Sequence, residues 1–221
     1  MPYFISYELY VRCVHANYGI LLTREWFGPT SYFHHPSPPS PETLETHFPT
    51  LLNNASHNYT PTLLPSTRGE TIAQLHNRVA TALQSLITDL DAEIAAYEAA
   101  QPQHEQKTSK AVLICSHAAS LIAMGRVLTG RMPDDSAEED FNVFTAGLST
   151  FLRRTPATAT AASPSIVPTR TVEELLAPGT KALRPEMRVP DWEGGNGVAG
   201  GWDCVGNGDC SFLSGGAQRG W

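Results

Sequence analysis

The chain has 221 residues, 41% of them hydrophobic, enough to bury one sizeable core and too few for two full domains. Its 22 acidic residues outnumber its 15 lysines and arginines, leaving a net charge of -7, and the basic residues form no cluster. That balance excludes a surface built to neutralise phosphate backbones, so no direct nucleic-acid binding is expected.

The opening stretch MPYFISYELYVRCVHANYGI carries Glu8 and Arg12 inside its apolar pattern and has no basic leader. It reads as neither a signal peptide nor a membrane span, which predicts an intracellular chain, cytoplasmic or nuclear, with no membrane partner. Four cysteines, at 13, 115, 204 and 210, are too scattered for a disulfide framework. Cys204 and Cys210 fall outside zinc-knuckle spacing. They read as reduced thiols, with a local contact between those two left open.

HHPSPPSPETLETHFP, residues 34 to 49, holds too many prolines for a helix or an inner strand and predicts a surface excursion with His34 and His35 in water. From Thr67 the pattern changes. T-R-G-E reads as a capping box, Thr67 as N-cap and Glu70 at N3, and apolar residues follow at Ile72, Leu75, Val79, Leu83, Leu86, Ile87, Leu90 and Ile94. This spacing predicts a helix over 67–99, on which His76 is a face residue.

After the polar break QPQHEQKTSK, Ala111 to Cys115 suits a buried strand, and Leu121 to Leu128 suits a helix packed on it and closed by Gly130. Helix, strand and helix in that order are an α/β signature. FNVFTAGLSTFLRR then predicts one or two late strands. TPATATAASPSIVPTR, residues 155–170, has a linker's composition, which places the end of the main domain near Arg154. Residues 171–193 offer one helical turn around VEELLA. The stretch from Gly194 to Trp221 contains ten glycines and predicts a largely irregular extension, whose Trp202, Phe212 and Trp221 fit docking onto another surface or a fragment of a further module.

The residue that raises a functional question is His117. In a doubly wound sheet ligands bind beyond the carboxyl ends of strands, where a starting helix points free N–H groups and its positive end at an anion. Taken alone, Ser116-His117 reads equally well as a helix-cap pair or as part of a phosphate site.

Neighbouring blocks add to it. CSHAASLIAMGRVLTG resembles the second histidine motif of the histidine phosphatase superfamily, the phosphoglycerate mutase-like proteins, and RGETIAQLHNRV resembles the Gly-Glu-Ser/Thr helix start that precedes it there. LYVRCVHA is similar to the family segment whose arginine, here Arg12, contacts the phosphate. REWFG resembles the Glu-Trp-aromatic-Gly stretch whose acid, here Glu25, donates a proton. The resemblance runs over residues 7–154, and GGWDCVGNGDCSFLSGGAQRGW resembles the C-terminal extension of fungal members related to the tau-fifty-five subunit of the RNA polymerase III transcription factor TFIIIC.

What the resemblance implies is specific. The fold would be α/β, three-layer and doubly wound on a mostly parallel sheet, formed by residues 1–154 without the family's first strand, followed by the linker at 155–170 and the extension at 171–221. The family hydrolyses phosphomonoesters through a phosphohistidine, with no cofactor and no metal. Arg12 and His117 would bind the phosphate, and His117 and Glu25 would take part in catalysis. The substrate would be a phosphorylated small molecule or a phosphoprotein. The family nucleophile, however, sits in an Arg-His-Gly motif, and these 221 residues contain no Arg-His pair. Ala118 also replaces the glycine often found after the second histidine, and His15, three residues beyond Arg12, reads as structural. The expectation is therefore a phosphate-binding remnant without turnover, or a non-catalytic scaffold with protein partners in a TFIIIC-like transcription complex.

Overall fold

In chain order the elements are β1 (Leu63–Leu64), α1 (Ile72–Ala100), α2 (Ala118–Thr129), β2 (Leu148–Arg153), β3 (Lys181–Ala182), a 3-10 turn at Val198–Gly200 and β4 (Trp202–Asp209). They come from a computed structural model that describes residues 46–47, 62–66, 68–101, 109–154, 175–184 and 187–218. Apart from 46–47, the Pro-rich segment lies outside the described residues, as does the linker at 155–170.

Helix α1 starts at Ile72 and not at Thr67, because a second capping box, Thr71 to Gln74, follows directly on the first and is the one that forms. The Gln74 N–H donates to Thr71 Oγ1 at 3.2 Å, while the Thr71 N–H donates to Gln74 Oε1 at 2.8 Å. Two otherwise orphaned donors are thereby satisfied. Glu70, released from the N3 role expected of it, turns inward to Arg78.

Five of the eight predicted apolar positions form the buried face, while Ile72 is exposed. Leu75, Val79, Leu83, Leu86 and Ile87 are buried in a single cluster with Ala123, Met124 and Val127 of α2. Burying each large aliphatic side chain contributes about 1.5–3 kcal/mol, so this face of α1 anchors the described core. Leu176, Met187, Trp192 and Val198 complete the cluster from the C-terminal side.

Helix α2 ends at Gly130, which takes the left-handed conformation with φ 76° and ψ 18°. Only glycine fits there for a second reason. A Cβ at this position would stand 2.5 Å from the carbonyl carbon of Gly195 and 2.6 Å from the nitrogen of Gly197. The Gly195 N–H donates to the Gly130 carbonyl at 2.8 Å, so the end of α2 and the glycine-rich segment touch backbone to backbone.

Two small sheets accompany the helices. β1 pairs antiparallel with β3, placing Leu63 opposite Ala182, and β2 pairs antiparallel with β4, placing Phe151 opposite Cys204 and Arg153 opposite Trp202. The architecture is thus mixed α/β with antiparallel pairing. Among the described residues no parallel, doubly wound sheet is formed.

One expectation needs correction. Ala111 to Cys115 is not a buried strand: only Val112 makes an isolated bridge, and Val112 and Leu113 are 42% and 46% exposed. Apolar composition buries a strand only when a neighbour saturates its backbone and covers its face, and the described residues supply no such ladder. The glycine-rich extension from Gly194 on nevertheless holds one strand. Its eight residues Trp202–Asp209 form β4, the partner of the predicted late strand β2, and Arg154, expected to mark the end of the main domain, ties the extension to it. The Arg154 guanidinium donates to the Gly195 carbonyl at 2.7 Å, the Thr129 carbonyl at 3.2 Å and the Asp203 carboxylate at 2.9 Å.

Candidate functional site

His117 stands at the N-cap of α2 with φ -91° and ψ 161°. Its carbonyl already accepts from the Leu121 N–H at 2.9 Å, which begins the helical ladder. Its imidazole makes no capping hydrogen bond and is exposed. The first-turn N–H groups therefore meet no capping side chain from this residue, and the ring itself is open to solvent. One turn in, Ser120 is 1% exposed and its Oγ has no hydrogen-bond partner among the described residues.

The other residues assigned to the site, Arg12 and Glu25, lie outside the described residues, as do His15, His34 and His35.

Two arginines near the helices are buried, and both are committed to carboxylates. Arg78 donates through Nε to both oxygens of Glu70. Arg126 donates through Nε to Asp140 at 3.1 and 2.8 Å, and through Nη1 and Nη2 to the Ser136 carbonyl; Nη2 also reaches the Glu138 carbonyl. Arg126 thus staples the loop after α2 to the helix. Such buried, satisfied guanidinium groups hold the fold and leave no spare donor fork for a ligand.

Sequence reasoning did not single out these pairs. The signal was present in RGETIAQLHNR, where Thr71 and Gln74 form their own T-x-x-Q box and free Glu70 for Arg78, two turns further on. It also placed His76 only on a helix face. The structure buries that ring against Trp192, and burial, the larger cause, together with the nearby Arg126 charge pulls its pKa below 6.5.

Among the described residues no cluster of three or more His, Cys, Asp or Glu side chains is placed to hold a metal, and no helix is long and apolar enough to cross a membrane. Cys115, Cys204 and Cys210 are free thiols; Cys13 lies outside the described residues.

Compared with known protein families, the chain matches no family model, and comparison with curated proteins returns no match.

Proposed function

We propose that this chain is a histidine phosphatase-like protein that binds phosphomonoester groups at His117 without hydrolysing them. The observation that carries the reading is the exposed, uncapped imidazole at the head of α2, immediately after Ser116 and an apolar run. In a covalent phosphoryl-transfer mechanism an electrophilic histidine and a helix end can hold the phosphate, but a separate imidazole must attack it. The absent Arg-His pair removes the family's attacking group, and this chain keeps the binding half of the chemistry.

The reading carries a finer fold with it. It is a three-layer α/β fold on a doubly wound, mostly parallel sheet, with His117 beyond the carboxyl ends of its strands. It also carries a phosphorylated small molecule or phosphoprotein as ligand, no cofactor, and a cytoplasmic or nuclear location.

The test pairs binding with turnover. Inorganic phosphate titrated into the full chain should give saturable binding that His117→Ala abolishes, with no release from p-nitrophenyl phosphate above background. Equal binding by His117→Ala would overturn the site. Robust hydrolysis lost in His117→Ala would overturn the claim of inactivity, since another histidine would then be the nucleophile.

A second reading is a non-catalytic interaction subunit of a TFIIIC-like assembly, favoured by the exposed apolar side chains Leu148, Leu152, Val205 and Phe212 on and beside the β2–β4 ribbon. It requires that phosphate not bind. Polar substitution of Leu152 and Val205 would then weaken assembly while leaving the fold intact.

A further inference from the structure

His76 is 2% exposed, and its Nδ1 lies 2.7 Å from the carbonyl oxygen of Ile72. A carbonyl can only accept, so Nδ1 carries the proton and Nε2 is a bare acceptor. That Nε2 is buried with no partner among the described residues. Trp192, itself buried, stacks on the imidazole with ring centroids 5.8 Å apart and planes 15° apart.

The same turn of α1 fastens the C-terminal side twice more. The Trp192 indole N–H donates to Asn77 Oδ1 at 3.2 Å, and Asn77 Nδ2 donates to the Leu175 carbonyl at 3.3 Å. His76 is therefore the floor on which the segment around Trp192 rests.

The charges that face His76 come from three sides. Arg126 of α2 opposes a proton on the ring, while Asp140, from the loop after α2, and Glu70, just before α1, favour one. Both carboxylates are already held, Asp140 by Arg126 and Glu70 by Arg78. Asp191 and Glu193, which flank Trp192, are exposed. A second N–H on the ring would find no acceptor in this pocket and would place a second cation near Arg126.

We propose that His76 and Trp192 form an acid-sensitive latch: protonation of His76 releases the C-terminal segment around Trp192 from α1. The direction follows from linkage. Because burial holds the folded-state pKa below 6.5, the latch is at full strength above that pH and weakens as pH falls from 6.5 towards the folded value. One proton taken up on opening raises the opening equilibrium by up to about ten-fold per pH unit across that window.

The experiment is amide hydrogen exchange of the full chain between about pH 7.5 and pH 5, corrected for intrinsic exchange, a window that brackets the ordinary imidazole pKa. Protection of residues 187–200 should be flat above about 6.5 and fall towards ten-fold per unit below it. His76→Phe keeps an aromatic stack without a titrating nitrogen and should give a flat profile. If that variant misfolds, His76→Gln gives the same readout. Trp192→Phe should raise opening at every pH and keep the slope. A flat wild-type profile, or an equal acid slope in a folded His76 variant, overturns the latch.

Discussion

Arg78 donates through Nε to both carboxylate oxygens of Glu70, at 3.1 and 2.8 Å, and the two side chains lie almost wholly out of water. Removing one partner strands the other as a buried charge. Arg78→Met or Glu70→Gln should each lower stability by about 3–5 kcal/mol, whereas the double change Glu70→Leu/Arg78→Met should lose much less than the two losses added. Urea unfolding of the three variants measures this, and additive losses would show that the side chains act independently.

Arg153 and Arg154 are neighbours with unequal roles. Arg153 meets Asp91 across the surface, with the side chains 40% and 48% exposed, so Arg153→Ala should cost no more than about 1 kcal/mol of that pairing. Arg154 instead closes on two backbone carbonyls and Asp203, and Arg154→Ala should cost about 1–3 kcal/mol. Thermal unfolding of both variants in one buffer provides the comparison; equal shifts in Tm would remove Arg154 from its bridging role.

Gly130→Ala sets a side chain into a left-handed turn and against the backbone of Gly195 and Gly197. The conformation alone costs roughly 1–2 kcal/mol, before the collision is counted. Limited proteolysis should detect faster cleavage within 194–201 than in wild type. Unchanged cleavage would mean the two backbones do not meet in solution.

Ser120→Ala runs the other way. Its buried Oγ has no partner among the described residues, so losing the hydroxyl should leave stability unchanged or raise it by about 1 kcal/mol. A clear loss in chemical denaturation would reveal that the hydroxyl is bonded.

Short-range signals were legible in the sequence; long-range ones were not. Helix α2 was readable because its apolar spacing and terminal Gly130 lie within one segment, and the same logic set His117 at a helix head. The start of α1 was misread because Thr67-Glu70 and Thr71-Gln74 both fit a capping box, and only the partner Arg78 decides between them. In WDCVGNGD the period-two pattern was present, with Trp202, Cys204 and Gly206 more covered than Asp203, Val205 and Asn207, but two glycines in a glycine-rich context outweighed it. His76 could not be read as special at all, since nothing in its own segment announces Trp192.

The cover of α1 is made late. Roughly ninety residues separate the end of the helix from Trp192, so at about 5–20 residues per second the apolar stripe of Leu75, Val79 and Leu83 leaves the ribosome about 5–20 s before the side chain that closes over its first turn. Leu63 waits as long for Ala182. A nascent chain of this protein therefore carries a helix covered only by α2 until Trp192 follows, and ribosomes that stall before Trp192 release a product whose half-covered stripe is a substrate for chaperones and proteases.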